Sequence, residues 1–177
     1  MPGPTFAEGD TVTLRTVEEE DLEFVQSARN DPAVRQPLTL NRAANAEQIH
    51  EFFENSFSSA DSVSLLACAD EEPVGMVVLF DEDDVTGTAT LAYWLAPDHW
   101  GNGYAIEAAG LLCEHAFADR RLNKIRADVI ESNDGSRRVL EKLGFQHEGV
   151  LREEKFVRGE HVDADRYGLL ADEWGGV

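Results

Sequence analysis

The apolar positions of this chain change their period several times, and the changes divide it into strands and helices. Residues 11–17 read as a strand, as do the apolar runs 62–70, 73–80 and 88–97. The acidic segment 70–72 predicts a hairpin turn between the first two of those runs. Thr16 with Glu19, and Asn45 with Gln48, have the spacing of a capping box, which predicts a helix after each. Asp31-Pro32 ends the first, and the second runs through Phe52, Phe53 and Phe57. From Gly103 onward, Ala105, Ala108, Ala109, Leu112 and Ala116 fall on a helical stripe. Residues 123–132 read as a strand and 134–144 as a helix, with Val139, Leu140 and Leu143 on one face and Gly144 as its stop. Residues 145–157 and 161–170, joined by a turn at 158–160, form a closing antiparallel pair. The order β-α-α-β-β-β-α-β-α-β-β predicts an α/β (α+β) fold built on a mixed sheet.

Composition sharpens this picture. A chain of 177 residues, 42% of them hydrophobic, is expected to form one domain over 1–177 with a core that needs no disulfide or metal. Cys68 and Cys113 lie in apolar runs and read as small core residues. No repeat, low-complexity segment or linker interrupts the chain. Asp and Glu number 35 against 15 Lys and Arg, a formal net charge of −20. The acidic residues occur in every segment, which predicts a solvated, halophilic-type acidic surface suited to high salt. Such a surface argues against nucleic acid and anionic membranes as partners. With no apolar span and no signal-peptide pattern at the start, a soluble cytoplasmic protein is expected. The histidines at 50, 99, 115, 147 and 161 have no ligand spacing, so no metal is expected.

The segment APDHWGNGYAIEAAG (96–110) carries the first chemical signal. A strand that runs through a glycine turn into a helix leaves backbone N–H groups at the helix start, where the helix dipole is also positive. That geometry suits a phosphate or pyrophosphate; the alternative is a tight turn in which the glycines only supply permissive dihedrals. The segment lacks the third glycine of the dinucleotide fingerprint and the Gly-Lys-Ser/Thr ending of a Walker loop.

The run from Tyr93 through the glycines, followed by residues 122–153, resembles the GNAT superfamily of acetyl-CoA-dependent N-acetyltransferases, and within it the Rim-type branch, which includes acetylators of ribosomal-protein N-termini. The resemblance covers about residues 88–170, with the cofactor-binding core at about 88–145, and implies a single GNAT domain with a largely antiparallel sheet flanked by helices. The family pattern Gln/Arg-x-x-Gly-x-Gly/Ala falls on residues 100–105, with Trp100 in place of Gln or Arg. By resemblance, the amides of Gly101, Asn102, Gly103, Tyr104, Ala105 and Ile106 would hold the CoA pyrophosphate. The backbone of Tyr93, Trp94 and Leu95 would pair with the pantetheine arm, and an amide near Leu95 would face the thioester oxygen. Asn133 matches an asparagine that contacts the pantetheine arm, or else caps the following helix. Ser136 stands where Rim-type relatives place a hydroxyl near the leaving sulfur. The tyrosine found four residues further on elsewhere in the superfamily is Leu140 here.

The acceptor amine must lose a proton to attack. Asp128, Glu153 and Glu154 are the candidate acceptors of that proton, and two-residue alternation places Glu153 on one face with Lys155. Rim-type relatives have a glutamate where this chain has Lys155. Arg137 and Arg138 follow the loop beside the cofactor in relatives. The implied activity is acetyl transfer from acetyl-CoA to a primary amine, either a protein N-terminus or a small amine such as a polyamine, amino acid or aminoglycoside. A non-catalytic acyl-CoA-binding module is the other reading. The oligomeric state, a homodimer included, is left open.

Overall fold

Most of these elements form where the pattern places them, and the departures have physical causes. The computed structural model of the protein describes residues 2–57 and 62–176. Its strands are β1 (Thr5–Glu8), β2 (Thr13–Thr16), β3 (Val63–Ala69), β4 (Glu72–Asp83), β5 (Thr88–Leu95), β6 (Lys124–Ile130), β7 (Gln146–Val157) and β8 (Glu160–Leu170). Its helices are α1 (Leu22–Asn30), α2 (Pro32–Arg35), α3 (Ala46–Phe52), α4 (Tyr104–Ala118) and α5 (Asp134–Lys142). β1 and α2 were not expected, and at 4 residues each they are too short for a periodic pattern to declare them.

The first capping signal was misplaced. Thr16 pairs with Leu65 in the sheet, so its backbone is committed to a strand and cannot open a helix. The chain turns instead at Glu19–Asp21, where the Glu18 N–H donates to Asp21 Oδ2 at 2.9 Å, and α1 follows. Asp31 ends α1 and caps α2, its Oδ1 accepting the Ala33 N–H at 2.8 Å ahead of a proline-started turn. At α3 the expected capping box is present: Gln48 N–H donates to Asn45 Oδ1 at 2.9 Å, and Asn45 N–H to Gln48 Oε1 at 3.0 Å. The acidic hairpin turns on Asp70 and Glu71, both left-handed with φ of 49° and 67°, the twist that a two-residue turn between antiparallel strands requires.

The eight strands form one sheet in the order β1-β2-β3-β4-β5-β6-β8-β7. Every neighbouring pair is antiparallel except β5 and β6. That parallel contact covers only Thr88–Lys124, Ala89–Ile125 and Thr90–Arg126. Beyond Thr90 the two strands part, because β5 continues along β4 as far as Leu95 while β6 continues along β8 as far as Ile130. The sheet therefore splits at its centre.

Two clusters hold the layers together. On one face α4 and α5 pack through Leu112, Ala116 and Leu140 against Leu14, Leu65, Leu79, Leu91 and Ile125. On the other, α1 and α3 bring Val25 and Ile49 onto Leu66, Cys68 and Met76. Cys68 and Cys113 are buried free thiols on opposite faces, as their apolar settings suggested. The start of α4 is tied to the β1–β2 hairpin by Glu107, which accepts the Thr11 N–H at 2.7 Å, the Val12 N–H at 3.1 Å and the Thr11 hydroxyl. Partial burial alone would raise the Glu107 carboxyl; these donors outweigh it and hold the group below the usual glutamate range. Among the described residues, no helix is long and apolar enough to cross a membrane.

Candidate functional site

The split between β5 and β6 opens into a cleft of about 650 Å³. Its walls come from β5, the loop into α4, β6, the start of α5, and the α2 region. Each wall presents different chemistry.

Because β6 has departed, one edge of β5 has no partner strand past Thr90. The Ala96 N–H donates to Val74 O at 2.9 Å, so even-numbered backbone groups at this end of β5 face β4. By the two-residue period, the N–H and C=O groups of Tyr93 and Leu95 face the open edge. One of these is already used: the Trp100 indole Nε1–H donates to the Leu95 carbonyl at 2.9 Å. Trp100 thus pins the end of β5 while remaining 54% exposed at the rim. The Tyr93 N–H and C=O and the Leu95 N–H stay available to an extended chain, the requirement for adding a strand. The Trp94 side chain turns to the opposite face, against Phe24 with ring centroids 5.5 Å apart.

The glycine loop follows. Gly101 and Gly103 have φ of 83° and 84°, and a Cβ built on either would meet nothing within 4 Å. Conformation, not crowding, requires glycine at both. Among the described residues, no N–H of residues 101–105 donates to a protein acceptor, whereas the Ile106 N–H returns to Gly103 O at 3.0 Å. Five consecutive free amides therefore stand at the head of a 15-residue helix. Asn102 contributes only its backbone, since its side chain donates back to His99 O at 3.2 Å. This set fits an anionic diphosphate by donor chemistry and dipole together.

The third wall is the start of α5. Asn133 caps it, Oδ1 accepting the Ser136 N–H at 3.1 Å, and its side-chain amide nitrogen has no protein acceptor among the described residues. Ser136 Oγ lies 2.8 Å from the Tyr93 hydroxyl, which is also 3.1 Å from Ser136 O. Burial pushes the Tyr93 hydroxyl well above its ordinary pKa, so the group stays protonated. Sequence reasoning gave Tyr93 a backbone role only. The signal was a tyrosine on the same strand face as Leu91 and Leu95, whose hydroxyl needs a partner when buried; nothing in the sequence says which.

The cations sort themselves. Arg137, expected beside the cofactor, is drawn away to Asp165 Oδ2 at 3.0 Å, Asp134 Oδ1 at 2.9 Å and Glu131 O at 2.8 Å. Arg138 and Lys142, one turn apart on α5, line the cleft, and neither has a carboxylate partner among the described residues.

On the far side Asp128 also lines the cleft, with both oxygens held by Arg166 Nε and Nη2 at 2.8 Å each. That pairing keeps the guanidinium above its ordinary pKa. The apolar groups Ala33, Val34, Pro37 and Leu38 line the same cleft. Glu153 is not brought to this site. It sits at a bulge where the register advances from Leu151 to Lys155 on β7 but only from Ala164 to Val162 on β8. Glu153 is exposed with φ of 52°, and its N–H donates to Asp163 Oδ1 at 2.8 Å. The bulge breaks the alternation from which its face, and those of Glu154 and Lys155, were read.

Known proteins share the family and the fold of this chain. Residues 11–146 match the family model of the acetyltransferase (GNAT) domain. The uncharacterized N-acetyltransferase p20 of Bacillus licheniformis is 30% identical over 172 residues, 94% of this chain and 97% of that protein. The putative ribosomal N-acetyltransferase YdaF of Bacillus subtilis (strain 168) is 36% identical over 102 residues, 58% of this chain and 56% of that protein. Among solved structures, the spermidine N-acetyltransferase of Vibrio cholerae in complex with CoA and spermine has the same fold. Its TM-score is 0.88 at 23% identity, over 93% of this chain and 98% of that one.

Proposed function

This chain belongs to the acetyltransferase (GNAT) domain family and is an N-acetyltransferase that uses acetyl-CoA, and from that premise we propose that its acceptor is the α-amine of a protein or peptide N-terminus, as in the Rim-type branch. One observation carries this reading. Among the described residues, two carboxylates line the cleft and both are already engaged by arginine, Asp128 by Arg166 and Asp134 by Arg137. A polyamine with several positive charges finds no unpaired carboxylate there among the described residues, and leaving those charges unmatched in a cleft is costly. A single amine on a peptide needs only an open, mostly apolar approach, which Ala33, Val34, Pro37 and Leu38 supply. The local similarity to YdaF supports the same choice.

In this reading the free amides of residues 101–105 and the cations Arg138 and Lys142 hold the anionic end of the cosubstrate. The open edge of β5 at Tyr93 and Leu95, with the amide group of Asn133, orients its arm. The Leu95 N–H stabilises the oxygen on which charge develops. Asp128, directly or through water, takes the proton that the amine must lose, with Arg166 fixing its orientation. Ser136 donates to the departing sulfur.

A polyamine acceptor is the second reading. It is favoured by the net charge of −20, which concentrates polycations near the protein, and by the fold shared with the spermidine enzyme. CoA-thiol release separates the two, measured with peptides bearing free N-termini, the same peptides N-terminally blocked, spermidine and spermine. The expected order is free peptide above polyamine, with blocked peptides without internal lysine at the hydrolysis rate and mass spectrometry placing the acetyl on the α-nitrogen. Spermidine turning over with a higher kcat/KM than every peptide would establish the second reading instead.

A further inference from the structure

Leu140, where other branches of the family carry a tyrosine, is 0% exposed and packed in the core. It can give nothing to the sulfur, and Ser136 alone is a poorly defined donor, because a serine hydroxyl rotates and its proton can point along the helix as easily as into the cleft. The structure holds a second hydroxyl against it. Tyr93 reaches across from β5 to the first turn of α5, a contact between residues 43 positions apart, with its oxygen 2.8 Å from Ser136 Oγ. The same oxygen lies 3.1 Å from Ser136 O, to which only the tyrosine can donate, whereas either hydroxyl can donate across the 2.8 Å contact; of the two acceptors within reach of the tyrosine proton, Oγ is the nearer.

Building on the role given to Ser136 above, we infer that Tyr93 is a positioning residue for acetyl transfer: its hydroxyl donates to Ser136 Oγ, which leaves the serine proton free to point into the cleft at the departing CoA sulfur. When the amine nitrogen bonds to the acetyl carbon and the carbon–sulfur bond breaks, the electron pair passes to sulfur. The amine loses its proton through Asp128 or water, and one proton ends on the thiol. Ser136 meets the growing negative charge with a hydrogen bond, and Tyr93 keeps its own proton throughout. Burial, which disfavours the phenolate, keeps this proton on the tyrosine, so Tyr93 is not the acid. The tyrosine that this chain lacks on α5 is thus replaced in effect, not in role, by one on β5.

The test is a double-mutant cycle on thiol release with any acceptor that supports turnover, using Tyr93→Phe, Ser136→Ala and the pair. Tyr93→Phe keeps the ring in the core. It is expected to lower kcat by roughly 5- to 10-fold, the worth of one oriented hydrogen bond, while KM and calorimetric affinity for acetyl-CoA move by less than about twofold. Ser136→Ala is expected to lower kcat at least as far, and the double variant to match Ser136→Ala. If Tyr93→Phe costs the same factor in both backgrounds, or if acetyl-CoA affinity falls in step with kcat, Tyr93 is a packing residue and the inference is overturned. If Ser136→Ala runs at the wild-type rate, the role of Ser136 fails and the inference with it. If only Tyr93→Phe does, the inference alone fails.

Discussion

Replacing Gly101 and Gly103 together by alanine is expected to weaken acetyl-CoA binding by roughly 30- to 700-fold while leaving the melting temperature of the free protein nearly unchanged. An L-residue in the left-handed region costs about 1–2 kcal/mol, and each tenfold in affinity is about 1.4 kcal/mol. Both glycines are in that region, and a Cβ on either would meet nothing within 4 Å. The free loop is therefore able to relieve the strain by swinging out, which turns the amides of residues 101–105 away from one another. Binding must then restore the strained conformation, so the cost falls on affinity and not on the fold. Gly103→Asn should weaken binding least, Gly103→Ala more and Gly103→Val most, because asparagine tolerates the left-handed region and β-branched residues do not. Calorimetric titration with acetyl-CoA reads the series. Wild-type affinity in the double alanine variant would show that the loop conformation does not matter for the cosubstrate.

Reversing the two cleft cations that have no carboxylate partner among the described residues, with Arg138→Glu and Lys142→Glu together, should cost roughly 30-fold in acetyl-CoA affinity at low salt and only a few-fold in about 1 M KCl. Four units of charge change at exposed positions, at about 0.5 kcal/mol each, give about 2 kcal/mol. The Debye length near 3 Å at 1 M removes most of it. The wild type should behave differently. Its net charge of −20 opposes an anionic ligand while Arg138 and Lys142 attract it, and salt screens both. We propose on this ground that the acidic surface and the cosubstrate are compatible in a salt-rich medium, with wild-type affinity nearly flat between low and molar KCl. A steep fall in wild-type affinity over that range, or a reversed variant with no salt dependence, would contradict this balance.

How much of this was legible in the sequence depended on whether a feature was local. The hairpin at Asp70 and Glu71, the capping box at Asn45 and the stop at Gly144 are set by a few neighbouring residues, and all three are present. The glycine loop is local as well, and so is the cap at Asn133, one of the two roles its position offered. Thr16 was misjudged because its capping pattern competed with a strand pairing to Leu65, which is remote in sequence. The face of Glu153 is not legible from alternation, because a bulge is an insertion in register that counting along one strand cannot see. Arg137 was assigned to the cofactor by resemblance alone; its pairing with Asp165, 28 residues away, depends on where β8 lies beside α5. The Tyr93–Ser136 contact is of the same kind. Side-chain chemistry across the split sheet appears only once the split is known, and the split itself follows from a three-residue parallel contact that no periodicity announces.

The central claim is that the helix-start amides of residues 101–105 grip the phosphates of acetyl-CoA, with Arg138 and Lys142 adding attraction from α5. An amide-resolved NMR titration of the wild-type protein tests it directly, comparing CoA with pantetheine, which has no pyrophosphate. CoA is expected to shift the amides of Gly101, Asn102, Gly103, Tyr104 and Ala105 strongly, together with Tyr93 and Leu95. Pantetheine should move Tyr93 and Leu95 while leaving the loop nearly still. Loop amides that stay in place at saturating CoA would contradict the account.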